Sequence, residues 1–426
     1  MKKTAFTICA KNYIGLALAL EESIKSYNKD INFFIFVADE FENKEDIVDL
    51  PKNVLVAKEH LDIQESLWNE MSFKYDLTEF CTSIKPSCFK YMFKMTETDA
   101  CIYFDPDILT FSSLEVIYSK LDKYSIVLTP HITTIETIYS GDLSEQRLLY
   151  SGIFNLGFIA IKNSTVGIQL IDWWEKRLED RCFQNMMDHY FTDQKWMDFV
   201  PSLFPESVYI SSNLGFNVAP WNFYEREIIK NDESFFVTNR ITNDNVLHPL
   251  VFVHFSGFNY KELLSGKVVQ GNIKDMVFRD DYSIIFEEYS KFILESHFSK
   301  YIKHNYSYNY FNNNVYITKI HRSLYRRLVE DGKLTDNPFM SNGTFYSALK
   351  KNKVLKTINL DKTILENVPN VGSKIKIVNK LWSFLFSIVG SNNFFRILKL
   401  MRIYSKVENH VYLISDDYKK DFELRK

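Results

Sequence analysis

Asp105 and Asp107 stand two residues apart, immediately after the apolar run ACIYF (100–104), with Pro106 between them. Hard divalent cations such as Mg²⁺ and Mn²⁺ take oxygen ligands, and Mg²⁺ commonly uses one or two carboxylates together with substrate phosphates. A rigid strand that ends on two carboxylates suits that work, because alternate residues point to the same side. Asp-Pro-Asp also makes a good surface turn. The pair alone therefore leaves two readings open, a turn and a metal site.

The elements that must position this pair can be traced along the chain. TAFTICA (4–10) followed by GLALALEESIKSY (15–27) reads as a strand, a short polar loop and a helix. INFFIFVADE (31–40) is a second strand ending on Asp39, and NVLVAKEH (53–60) a third. SIKPSCFKYMFKM (83–95) begins a helix with Pro86 in its first turn, and that helix delivers the chain into ACIYFDPD. YSIVLTPH (124–131) and GIFNLGFIAI (152–161) supply further strands, and 166–183 is a helix by its apolar spacing. Strands alternating with helices predict an α/β fold with a mainly parallel, Rossmann-like sheet flanked by helices, whose ligands lie at the carboxyl ends of the strands. From about residue 280 the pattern turns helical and more charged, with YNYFNNNVY (308–316) as a loop. The expected divisions are 1–278 as the catalytic domain, 279–370 as a helical extension associated with it, and 371–426 as a basic amphipathic tail.

The chain has 426 residues, 46% of them hydrophobic and 25% charged, with a formal net charge of -3, the composition of a globular protein with no indication of nucleic-acid binding. Its 36 Phe and 25 Tyr fit either an aromatic-rich cleft or compositional drift. Five scattered cysteines form neither a disulfide framework nor a zinc pattern and are read as reduced, cytoplasmic thiols. The opening MKKTAFTICAKN reads as a first strand rather than a secretory leader, its apolar part being broken by Lys11 and Asn12. From Val371 to Lys406 seven residues are basic (Lys374, Lys376, Lys380, Arg396, Lys399, Arg402 and Lys406), none is acidic, and Trp and Phe are interleaved. That composition fits a helix on an anionic membrane surface, on the inner face of the plasma membrane; packing on the main domain or on a partner subunit is the alternative.

Taken in order, SIKPSCFKYMF, IYFDPDILTF, LTPH, GIFNLGFIAI, DWWEKRLEDRC, FTDQKWMDFVPSLF, NLGFNVAPWNF and FVHFSGF resemble the bacterial GT-A-type nucleotide-sugar glycosyltransferases, with similarity to retaining family-8-like enzymes. The resemblance spans roughly residues 4 to 350 and implies a GT-A fold. It also implies transfer of a sugar from a nucleotide-sugar donor, a UDP-sugar being favoured, to a glycan or lipid-linked glycan acceptor in bacterial surface polysaccharide synthesis. Asp105 and Asp107 would hold Mn²⁺ or Mg²⁺ on the donor diphosphate, with His254 as third ligand; a strand-end His is otherwise structural. Ala10, Lys11, Asn12 and Tyr13, with Asp39, would cradle base and ribose, although Asn12 and Asp39 also suit turns or helix caps. Lys85 would help to neutralise the diphosphate. Gly257 and Lys261 match a His, Gly, Lys pattern in which the lysine falls one residue later than the family places it.

Asn155 and Gly157 would line the donor-sugar site, where glycine permits close backbone approach. Asp193 and Gln194 would be the catalytic pair beside the reacting sugar carbon, orienting the sugar, stabilising ring charge, or acting as base or nucleophile; a helix N-cap is the alternative for Asp193. Asn217 and Trp221 would border the acceptor cleft, Trp221 offering an apolar face to a sugar ring. Two other functions stay open: a sugar- or nucleotide-binding protein with a degenerate site, and a haloacid-dehalogenase-type phosphatase with Asp105 as nucleophile. The second expects Thr or Val where this chain has Leu109, and expects the motif on the first strand of its domain.

Overall fold

In the computed structural model, residues 1–41, 50–244, 246–271, 273, 277–334, 336–356, 370–419 and 424 are described. The strands that matter for the site are β1 (Lys3–Cys9), β2 (Asn32–Val37), β3 (Val54–Val56), β4 (Ala100–Phe104), β5 (Ile108–Thr110), β6 (Ile126–Leu128), β7 (Phe158–Lys162), β8 (Val208–Ile210) and β9 (Phe252–His254). Seven of them form one sheet in the order β8-β6-β7-β4-β1-β2-β3. Only β7 runs antiparallel to its neighbours β4 and β6; the other pairings are parallel. The mainly parallel α/β sheet expected from the strand and helix alternation is present. Every residue of β4 is buried, as an apolar run covered on both faces must be.

Flanking helices include α1 (Ile14–Tyr27), α2 (Lys85–Met95) and α3 (Thr165–Leu178). Pro86 occupies the first turn of α2, where its missing N–H costs nothing. Ser164 caps α3 by accepting from Gly167 N at 3.1 Å. The abundant aromatics fill the interior: Phe6 packs edge-on against Phe36 and Phe89, and the rings of Phe104, Phe158 and Phe252 meet one another at tilted and edge-on angles.

Two compact units are present: Met1–Gln64 with Leu77–Ser307, and Glu65–Asp76 with Tyr308–Lys426. The first thus extends beyond 278. The helix α4 (Ser283–Glu295) inserts Ile285, Phe286, Tyr289 and Ile293 into the same core as Val253 and Phe255, so burial ties it to the sheet-bearing unit. In the second unit, α5 (Lys319–Glu330) presents Arg322 to the carbonyls of Phe73 and Tyr75, each at 2.6 Å, and of Tyr308 at 2.7 Å. A single buried guanidinium therefore satisfies the open end of 65–74 and explains why that segment belongs with a sequence-distant helix. The loop read at 308–316 is irregular apart from one short turn and an isolated bridge between Tyr310 and Tyr316.

Gly15 sits in the first turn of α1 against Phe298, whose Cα would lie 2.4 Å from an added Cβ. We expect Gly15→Ala to lower stability by about 1–3 kcal/mol through overpacking, read as a lower urea midpoint. An unchanged midpoint would mean that the helix contact yields freely.

Candidate functional site

β4 ends at Phe104, and the next residues turn sharply: Ile108 N donates to Asp105 O at 3.2 Å before the chain re-enters β5. β5 pairs antiparallel with β9, aligning Ile108 with His254, and Phe255 N donates to Asp107 O at 2.8 Å. The Asp-Pro-Asp turn and the end of β9 are thereby fixed to one another. The turn is present, and the same turn brings both carboxylates to the end of β9.

His254 Nε2 lies 3.1 Å from Asp107 Oδ1 and 3.7 Å from Asp105 Oδ2. One ligand atom from each of Asp105, Asp107 and His254 falls within 4.8 Å of the others. Burial works against a charged ring, but the charge and hydrogen bond of Asp107, with Asp105 behind it, outweigh burial and hold His254 above the ordinary imidazole value. Burial likewise works against the Asp107 carboxylate, and His254 and Tyr260 overcome it, holding Asp107 below its usual range. Each partner stabilises the other's charged form, as oppositely charged neighbours must.

The donor set also fits a hard or borderline divalent ion. Asn155 Oδ1 faces His254 Nδ1 at 3.1 Å and also accepts from Gly157 N and Asn217 Nδ2, both at 3.2 Å, which fixes the amide's orientation. In the neutral ring the Nδ1 hydrogen therefore goes to Asn155, and the Nε2 lone pair is directed at the carboxylates, the orientation that a metal-ligating histidine is given when its other nitrogen donates to a fixed oxygen. Tyr260 OH donates to Asp107 Oδ2 at 3.1 Å, and Tyr103 OH donates to Asp105. Burial, followed by the adjacent carboxylates, pushes both phenols well above their normal range, so both remain donors.

A cavity of about 370 Å³ opens beside this cluster. Its lining includes Lys85, Asp105, Asn155, Gly157, Asp193, Gln194, Trp221 and His254, so eight of the residues singled out in the sequence share one wall system. Lys85 is buried, with Nζ 2.7 Å from Asp193 Oδ2, 2.7 Å from Leu156 O and 4.0 Å from Asp105 Oδ1, over the Tyr103 ring. Its charge is committed to the two acidic side chains. Burial raises the Asp193 carboxyl above its usual range despite Lys85. Asp193 makes no helix-capping hydrogen bond. Gln194 uses its whole amide: Oε1 accepts from Leu156 N at 3.0 Å and Asn155 Nδ2 at 3.2 Å, and Nε2 donates to Ser151 O at 2.9 Å. That amide also lies 3.5 Å from His131 Nε2, on a ring that burial keeps neutral with its pKa lowered to about 4.

Other expected residues lie elsewhere. Asp107 does not line the cavity and faces Tyr260, whose ring meets Tyr13 edge-on at 6.1 Å. Tyr13 thereby connects the first strand-to-helix loop to the carboxylates. In that loop Lys11 Nζ donates to Glu40 O and Ser307 Oγ, both at 2.7 Å, while Asp39 Oδ1 accepts from Glu40 N and Ser307 N. Asn12 Oδ1 is buried without a hydrogen-bond partner among the described residues, and Ala10 precedes the turn that holds it. Asn217 is buried beneath Asn155, in the left-handed region at φ 53. Trp221 reaches the cavity and also meets His254 edge-on at 5.3 Å. Gly257 adopts φ 78 in the turn after β9, and Lys261 is exposed on the short helix Tyr260–Leu264, away from the cavity.

Three participants were not picked out in the sequence. Tyr103 had a signal, standing two residues before Asp105 on the same side of β4. Tyr260 stands one residue before Lys261, at the position where the family pattern places its lysine. Arg147 lines the cavity with its guanidinium over the rings of Tyr150 and Phe191, and nothing in its own segment announced that.

No protein-family model matches the chain. The uncharacterized protein YfnF of Bacillus subtilis (strain 168) is 26% identical over 258 residues, 59% of this chain and 80% of that protein. Among solved structures the chain is similar to the galactosyltransferase LgtC in complex with donor and acceptor sugar analogs, at 16% identity over 68% of this chain and 95% of that one, TM-score 0.40. It is similar also to the glycosyltransferase GlyE of Streptococcus pneumoniae TIGR4, at 14% identity over 73% of this chain and 67% of that one, TM-score 0.37.

An added Cβ on Gly157 would lie 2.3 Å from His254 Cε1 and 2.5 Å from Nδ1. The close approach that this glycine permits is to the histidine ring. Gly157→Ala is therefore expected to displace His254 and to weaken Mn²⁺ binding roughly 10–100-fold, as loss of an orienting contact does, measured by calorimetric titration. Wild-type affinity would show that His254 is no ligand. Separately, Lys85→Met should cost about 3–5 kcal/mol by stranding Asp193, and Lys85→Met/Asp193→Asn should regain part of it. Additive losses in urea unfolding would mean that the pair does not interact.

Proposed function

We propose that this protein is a divalent-metal-dependent glycosyltransferase of GT-A type that moves a sugar from a nucleotide-sugar donor, a UDP-sugar being favoured, to a glycan or lipid-linked glycan acceptor. The observation that carries the reading is the position of Asp105, Asp107 and His254 at the carboxyl end of the central sheet, beside a cavity that also holds Asp193 and Gln194. We place the reaction in cytoplasmic synthesis of a bacterial surface polysaccharide, on the strength of the ordered motif series.

Asp105 and Asp107 face different neighbourhoods. Asp105 borders the cavity, and Asp107 is linked through Tyr260 to the loop holding Tyr13. The donor nucleotide lies over residues 10–13 and Asp39, the sugar lies in the cavity, and the diphosphate passes between them at the carboxylates. When bound, Mn²⁺ or Mg²⁺ supplies positive charge to the departing diphosphate.

The protein's own groups do the rest. Tyr103 and Tyr260 hold the two carboxylates without protonating them, and Asn155 holds the His254 ring in one tautomer. Gln194 fixes Asn155 and the Leu156 backbone, so the donor-sugar wall is rigid before substrate arrives. Asp193 stands at that wall with Lys85 as its counter-ion and meets positive charge that grows on the sugar ring. Retention of anomeric configuration follows if Asp193 shields the far face of the ring while the acceptor hydroxyl enters beside the leaving diphosphate oxygen and passes its proton to that oxygen as the sugar–oxygen bond of the donor breaks. Trp221 and its neighbour Pro220 form the side of the cavity where an acceptor sugar would stack.

A panel of nucleotide sugars incubated with Mn²⁺ is expected to reveal one donor that is slowly hydrolysed, with the free sugar first released in the donor's anomeric form by proton NMR. Asp107→Ala should reduce turnover more than 100-fold, about 3 kcal/mol of transition-state stabilisation. If no donor is bound or turned over and the substitution changes nothing, the enzyme reading fails; a donor that is bound but never turned over would put a degenerate binding protein in its place.

A further inference from the structure

The basic segment is one helix by hydrogen bonding, α6 (Val371–Tyr404), but Gly390 at φ 74 and ψ 166 breaks it into two arms. Trp382 and Phe386, on the first arm, have ring centroids 5.8 and 5.3 Å from that of Phe394 on the second. In a continuous helix residues 382 and 394 would be roughly 18 Å apart, so the chain doubles back at Gly390. The segment expected to form a basic amphipathic tail is therefore a helical hairpin. No described helix is long and apolar enough to cross a membrane.

The first arm carries two apolar stripes. One holds Trp382, Leu385 and Val389, half-buried toward the second arm. The other holds Ile377, Leu381, Phe384 and Ile388, at the i, i+4, i+7, i+11 positions of one helical face. These four are 59%, 63%, 66% and 65% exposed and belong to no hydrophobic cluster among the described residues. At about 100° per residue, Lys374 falls on one edge of this stripe and Lys380 on the other. Asn379 and Ser383, both exposed, lie well off the stripe, on the side that also carries Lys376 and Phe386. An exposed apolar stripe edged by lysines on both sides, in a segment without an acidic residue from 371 to 406, is complementary to an anionic lipid surface. Its side chains can enter the acyl boundary while the lysine stems reach up to phosphate.

We propose that the first arm of this hairpin lies in the headgroup boundary of an anionic leaflet through Ile377, Leu381, Phe384 and Ile388, with the second arm stacked on it through Phe394. The lipid-binding face is then one stripe of one arm. The inference stands independently of the transferase reading, because its test involves no sugar substrate.

The full chain would be sedimented with vesicles of phosphatidylcholine alone and with one-third phosphatidylglycerol. Strong binding to the anionic vesicles and weak binding to the neutral ones is expected. Leu381→Asp/Phe384→Asp should lower the anionic partition coefficient at least tenfold, whereas Asn379→Asp/Ser383→Asp, which places the same charge on the same helix, should lower it less than threefold. Unaltered far-ultraviolet circular dichroism would establish that both variants keep their helices. No wild-type binding, or equal losses in the two variants, would overturn the proposal. So would dimerisation of the vesicle-free protein that only the stripe variant abolishes, because the stripe's occupant would then be a second copy.

Discussion

Placing Asp105 and Asp107 together at the end of a buried strand creates a charge problem, and much of the surrounding structure answers it. Two carboxylates in a partly desolvated site repel one another and lose water, a cost that must be offset by cations or by hydrogen bonds aimed at the charged form. The chain supplies one phenol to each carboxylate and one imidazole shared between them. Asp193 adds a third negative charge, against which Lys85 is placed. One lysine and one titratable ring facing three acids leave the cluster with an excess of negative charge.

The rigidity of that cluster comes from the β4 turn and the pairing of β5 with β9. Asn155, Gly157, Gln194 and Asn217 form a buried hydrogen-bonded layer beneath His254 in which almost every polar atom is used. Such networks specify one arrangement when fully satisfied and are costly when broken. Asn217 takes an αL backbone to reach Asn155, a conformation that Asn tolerates better than most residues.

Much of this architecture is legible in the sequence. The parallel sheet follows from apolar runs alternating with amphipathic ones, and Asp105 and Asp107 stand out because a fully buried strand rarely ends on two acids. His254, Asn155 and Gln194 were found through their short motifs. What those motifs could not convey is which partner each side chain serves. Gly157 lies against the His254 ring as well as on the cavity wall, and Lys85 is paired with Asp193. Contacts between residues distant in sequence escape local patterns for the same reason: Gly15 meets Phe298, and Arg322 closes the backbone of Phe73 and Tyr75. The bend at Gly390 escaped as well, because composition records charge and hydrophobicity but not a single φ angle.

Trp221 belongs at once to the cavity wall and to the packing around His254, with His131 against it at 5.3 Å. Were a ligand to shift this indole, the His254 ring packed on it would shift too, and thermodynamic linkage would make the effect mutual: anything that occupied the cavity and anything held at the carboxylates would alter one another's affinity by the same factor. The indole is the mechanical term that joins the surroundings of the two.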